Sequence, residues 1–152
     1  MWDTAFVVAN IVAVLTWAGL IVLPRWPALL TAILYLGIGL LCLGYSALFL
    51  GLNLGLIDPV RADGAPMPAT EYSVDGLIDL FASRGVMTVG WIHYLAFDLF
   101  VGLWIARDAD AKNFSRWVQA PILLATFLAG PLGLLVWLAV RERRARRLGR
   151  GT

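Results

Sequence analysis

Val86–Ile105 reads VMTVGWIHYLAFDLFVGLWI. About 20 helical residues cross roughly 30 Å of hydrocarbon, so this run is long enough to span a bilayer. Inside it sit Asp98 and His93, the single histidine of the chain. An ionisable side chain at that depth costs about 2.5–3.5 kcal/mol on insertion scales. A span with two such groups points to a use or a partner for each.

The rest of the chain fits that reading. Of 152 residues, 61% are hydrophobic and 14% charged. Soluble proteins average near 45–50% and about 25%, so the shift marks a multi-pass membrane protein. The chain starts with Met1-Trp2-Asp3 and lacks a basic flank before its first apolar run, so that run reads as a retained helix rather than a cleaved signal. Cys42 is the lone cysteine, which excludes thiolate metal clusters, and it reads as a small buried hydrophobe.

Four stretches are long enough to cross, at about 4–23, 28–52, 86–106 and 116–140. The expected fold is therefore an all-α membrane protein, one domain of four transmembrane helices with a basic tail at 141–152. The first loop is tight and Pro-bounded at Pro24 and Pro27, which makes the first two helices antiparallel neighbours. The second opens on a Pro-, Gly- and Asp-rich stretch. It continues as Tyr72–Gly85, where Val74, Leu77, Ile78 and Phe81 share one helical face. That pattern predicts a short amphipathic helix on the membrane surface, capped by Ser73. The third loop is charged, Arg107 to Arg116. In the second helix Ala47, Gly51 and Gly55 are spaced by four, a pattern that lets helices pack closely within the bundle or across a homodimer seam. In the fourth, Pro131 within Gly130–Gly133 predicts a kink, and with it a ligand-shaping role for Pro131.

Four crossings put both termini and the second loop on one side. That side holds Arg61, Arg84 and six arginines from Arg141 onward; the other holds Arg25, Arg107, Lys112 and Arg116. The excess of basic residues places both termini in the cytoplasm. The tail reads as a topology anchor that meets anionic membrane lipid, and not as a nucleic-acid site.

On a helical wheel of about 100° per residue, Phe97, Phe100 and Trp104 fall within about 40° of His93. Asp98 falls near 140°, among Trp91, Tyr94, Gly102 and Ile105. His93 and Asp98 thus lie on different faces, and they either bracket a ligand or meet different neighbours. Tyr94, one turn before Asp98, is its local partner, and Asn10, Asn53, Gln119 and Thr126 are the other polar groups at membrane depth. A haem held by two histidines is excluded by the count, and zinc would have only carboxylates to join one imidazole. Ligation of a five-coordinate haem or a chlorophyll by one histidine stays open, and the favoured role for His93 is general acid–base work. The candidate catalytic residues are His93, Asp98 and Tyr94. Trp91, Phe97, Phe100, Trp104 and Pro131 are candidates for the ligand-binding wall. No metal and no cofactor is expected.

The run Gly90–Gly102, GWIHYLAFDLFVG, with Trp104, Ile105 and Asp108 after it, resembles a family signature. So does Pro131-Leu132-Gly133-Leu134-Leu135. Both are similar to the abscisic-acid-deficient-four-like family of small multi-pass membrane proteins, whose plant members are needed to form the xanthophyll neoxanthin. The resemblance covers most of the chain and is specific in the third and fourth helices. It implies carotenoid metabolism and the conversion of an epoxide into an allene, an isomerisation with no net redox change. The plant members carry a plastid-targeting extension that this chain lacks, which points to a bacterial inner membrane and leaves the polyene open. The first functional expectation is an isomerase acting on a carotenoid or other hydrophobic polyene. The second is a pigment-binding subunit that pairs with another membrane protein. A small transporter or assembly factor is a weaker third, because only one span is strongly polar.

Overall fold

The computed structural model describes residues 1–61 and 71–148, with side chains through residue 142. Residues 62–70, the Pro-rich part of the second loop, and the last four residues of the tail lie outside the described residues. Every named element among those described is a helix: α1 (Trp2–Val22), α2 (Pro27–Asn53), α3 (Val74–Phe81), α4 (Arg84–Ala111), α5 (Arg116–Leu128) and α6 (Gly130–Leu148). Three of them, α1, α2 and α4, are long and apolar enough to cross a membrane.

The core forms where α4 is embraced by α1, α2 and α5. Ala13, Trp17 and Leu20 of α1, Ile33 and Leu41 of α2, and Leu99 and Leu103 of α4 are buried together. Small residues set the spacing. A Cβ on Gly102 would overlap the Trp17 ring, and one on Gly37 would come within 2.7 Å of Thr16 Cγ2 and 3.3 Å of Leu99 Cδ2. Gly37 lies in a π-helical stretch, Ile33–Ile38, that interrupts α2. Such wide turns are inserted where the register of a helix must shift.

The tail end of α2 uses its glycines locally. Gly55 has φ +67 and stops the helix, and Ile57 folds back over Gly51, where any side chain would strike it. Gly51 meets only Ile57 of the adjoining turn and Gly55 meets no neighbour within 4 Å, so these two glycines do not seat another helix of the bundle. Cys42 is exposed on the outer face of α2, a correction to the buried position expected for it.

α3 is the expected surface helix, and Ser73 Oγ accepts from Gly76 N at 3.0 Å as its cap. Its apolar face (Val74, Leu77, Ile78) is exposed, as a face laid on lipid would be. α3 is tied down by Arg61, whose guanidinium pairs with Asp79 at 2.5 Å. α4 starts earlier and ends later than expected. Ser83 caps it, and it runs through Asp108 and Asp110 to Ala111, shrinking the charged loop to 112–115. The helix survives those acids because Lys112 and Arg141 both pair with Asp108, and Arg25 meets Asp110 at 3.0 Å.

The expected fourth span is two helices. α5 ends at Leu128, Ala129 takes φ −155 and ψ 81, and α6 restarts at Gly130. Pro131 supplies no N–H and suits the first turn of a new helix better than the middle of an old one. The result is a reversal rather than the kink expected. Phe114, just before α5, packs edge-on against Trp137 of α6 at 4.9 Å between ring centroids. In one straight helix, Arg116 and Trp137 alone would be about 30 Å apart. Gly133 permits the fold-back, because its Cα lies against the Thr126 backbone with no space for a side chain.

The two ends of the molecule are thereby fixed. At one, Asp3 pairs with Arg84, and Trp2 Nε1 donates to the Asp58 carbonyl at 3.0 Å. At the other, Arg25 meets Asp110, Arg116 donates to the Val22 carbonyl at 2.5 Å, and Arg141 meets Asp108 at 2.7 Å. The expectation that amino terminus and tail share one end is corrected: Arg141 stands at the end opposite Asp3.

Candidate functional site: an aromatic groove beside His93

A groove of about 1000 Å³ runs from the Asp3 end of the molecule down to His93. One wall is α2, through Tyr45, Phe49 and Asn53; the opposite wall is α4, through Val86, Val89, Gly90 and His93. The 54–59 turn, Tyr72 and the Leu80–Phe81 end of α3 close its mouth. Gly90 is required at that mouth, because a Cβ there would lie 2.7 Å from Phe81 Cε1. Phe81 thus rests directly on the α4 backbone.

At the inner end His93 is held between two rings. Tyr45 lies 5.5 Å away at 53°, and Phe97 stacks at 4.5 Å and 29°. Tyr45 in turn stacks on Phe49 at 5.5 Å. Leu52, Val86 and Val89 add aliphatic surface, with Asn53 and Asp58 as the polar groups toward the mouth, so a flat apolar molecule would meet aromatic faces along its length and one imidazole at its end. Beside the groove, Phe97 and Phe100 line a smaller apolar recess of about 240 Å³ with Ile38, Cys42 and Ala96.

The other candidates face elsewhere. Asp98 lies on the far side of α4, its carboxylate against Gly130 at the tip of the α5–α6 reversal. Tyr94 is its hydrogen-bond partner, and the second carboxylate oxygen is buried with no partner among the described residues. Trp91 shares that face. It packs on Tyr94 at 5.2 Å and Phe6 at 5.8 Å, and its Nε1 donates to Asn10 at 3.2 Å. Trp104 sits near the opposite end under the Arg141 guanidinium, 5.8 Å from ring centre. Pro131 is exposed in the first turn of α6. Of the remaining polar groups, Asn53 and Thr126 bond within their own helices, to the Phe49 and Ile122 carbonyls, while Gln119 reaches from α5 to the Ala106 carbonyl of α4.

The structure therefore brings His93 and Phe97 together, sets Phe100 next to them, and separates them from Asp98, Tyr94 and Trp91. Sequence reasoning missed Tyr45, Phe49 and Phe81. The first two had a signal, an aromatic pair spaced by four in an otherwise aliphatic helix, a spacing that stacks side chains on one face. Phe81 had been placed on the amphipathic face of α3, with nothing to show that it would turn onto Gly90.

No curated protein and no solved structure is significantly similar to the chain. The family described as ABA DEFICIENT 4-like matches residues 4–137, which covers every described helix except the charged half of α6. The chain, with its three long apolar helices and a groove between α2 and α4 that His93 lines, belongs to the ABA DEFICIENT 4-like family.

Proposed function

We propose that this protein acts on a carotenoid or similar polyene within the bilayer, as an isomerase of the kind that forms neoxanthin and without a cofactor. The observation that supports this most is the groove, an aromatic cleft that ends on the one imidazole of the chain. His93 lies nine residues along α4 from Arg84, about 14 Å below the end of the helix. A cyclic end group with the first part of its polyene fits such a depth, and the rest of the chain lies in lipid.

The chemistry suits the groups present. As the epoxide C–O bond breaks, its oxygen takes a proton. As the allene forms, a polyene carbon loses one. Protons balance and no electron leaves the substrate. His93 is the base at carbon, and Tyr45 brings a phenolic hydroxyl to the same wall for the oxygen. Asp98 and Tyr94 were expected to share this work. They lie on another face of α4, away from the groove, with the Asp98 carboxylate against Gly130.

The test is expression of the full chain in bacteria that make defined epoxy-carotenoids, with pigments separated by chromatography. We expect a new isomer of unchanged mass, its yield reduced at least about 100-fold in His93→Ala, in line with loss of a general base. Asp98→Asn should retain the product. Loss of product in Asp98→Asn with full product in His93→Ala would overturn this assignment. The exposure of the groove walls also favours a second reading, a pigment-binding subunit. In that case the purified protein holds pigment in fixed ratio and the extracted carotenoids are unchanged.

A further inference from the structure

We propose that α5 and α6 form a re-entrant hairpin rather than a fourth crossing, so that the amino terminus lies outside the cell and the basic carboxyl-terminal end lies on the cytoplasmic leaflet, against anionic phospholipid headgroups. This inference does not rest on the proposed function.

The depth of the hairpin follows from its contacts. α5 leaves from the end where Arg116 meets the Val22 carbonyl. Its tip, Gly130, touches Asp98, and the returning helix reaches Asp108 with Arg141. From Gly130 to Arg141 is about 16 Å of helix, and from Asp98 to Asp108 about 15 Å. α6 therefore runs alongside α4 in the same direction and covers half of a roughly 30 Å hydrocarbon layer. The 13 residues of α5 are about 20 Å long, too short to cross. A chain reversal at that depth is tolerated only where protein covers it, and Gly130 is buried with the Asp98 carboxylate beside it.

Charge then chooses the orientation. With three crossings, the end that holds Asp3 has two of the twelve basic residues, Arg61 and Arg84. The opposite end has Arg25, Arg107, Lys112, Arg116 and Arg141, and the chain continues from it into five more arginines. Ten against two is a stronger asymmetry than eight against four, the division a fourth crossing would give. Cytoplasmic flanks carry the basic excess, and each Lys or Arg near the anionic leaflet adds to its attraction.

The experiment uses the full chain in a bacterial inner membrane, with Cys42→Ser as background. Asp3→Cys is probed in intact spheroplasts with a membrane-impermeant maleimide, and a fluorescent protein or alkaline phosphatase follows Thr152. We expect labelling at position 3 without permeabilisation, a fluorescent carboxyl-terminal fusion and an inactive phosphatase. Any other combination overturns the proposal. Position 3 labelled only after permeabilisation, with a fluorescent tail, would restore four crossings. The hairpin itself is read in the double variant Phe114→Cys and Trp137→Cys. A short bifunctional maleimide, which spans more than a disulfide, should join the two thiols within one chain, as read from the mass of the intact protein. Separate adducts at the two positions with no link between them would mean that the two legs do not fold back.

Discussion

Asp98 and Gly130 define each other. A Cβ at position 130 would overlap the carboxylate, so only glycine lets the hairpin tip close on α4. Gly130→Ala is expected to destabilise the protein by about 1–3 kcal/mol, the usual cost of forcing a methyl into a packed site. In the double variant with Asp98→Ala most of that loss should disappear. Thermal unfolding in one detergent, analysed as a double-mutant cycle, measures the coupling. A Gly130→Ala penalty unchanged by the second substitution would show that the overlap is relieved some other way. Asp98's need for a partner was legible in the sequence, because an acid in an apolar span demands one. The partner was not: Tyr94 is a turn away and could be read off the wheel, but Gly130 is a distant residue with no polar side chain to advertise itself. His93 was legible in the same uneven way. The wheel placed Phe97 beside it, while Tyr45 came from another helix whose rotation no single sequence reveals.

Element boundaries turn on caps. Ser83 is fully buried, accepts from Val86 N at 3.3 Å and donates to the Pro59 carbonyl at 2.8 Å. One hydroxyl thus starts α4 and fixes the turn that closes the groove. Ser83→Ala removes the cap and one of the two hydrogen bonds to the Pro59 carbonyl, which keeps Gly85 N at 2.8 Å, for an expected loss of about 1 kcal/mol. The change is read as a lower unfolding temperature, and an unchanged temperature would show that water replaces the hydroxyl. Hydropathy placed the long helices within a few residues, because apolar length is what it measures. It stopped α4 too early, since the acids at 108 and 110 read as loop until their cationic partners are known. It also joined α5 and α6 into one span. Summed over 116–140 the stretch is long enough to cross, and hydropathy carries no sign for direction. The signal for reversal was local and small: a Gly-Pro pair followed by Gly133, which was read only as a kink.

At the scale of the whole molecule, the helical membrane class was plain from composition, whereas the arrangement of ends was not. Parity decides it: one crossing more or fewer moves Arg141 and everything after it to the other face. The reversal at Ala129 therefore decides which end the tail shares, and the loop charges decide which face of the membrane that end takes. The groove carries a different consequence. Its walls include side chains that are open to the surroundings, such as Phe49 and Tyr72, and on the proposed function an apolar ligand is expected to arrive by lateral diffusion rather than through water. The concentration that governs occupancy is then a mole fraction in the amphiphile phase, not a molarity in buffer. At fixed amounts of protein and polyene, adding detergent or lipid should slow turnover in proportion to the dilution. A rate that follows bulk molarity instead would mean that the ligand is delivered from solution. On the proposed function, such surface dilution would make the lipid-to-polyene ratio, rather than total pigment, the quantity to which the protein responds.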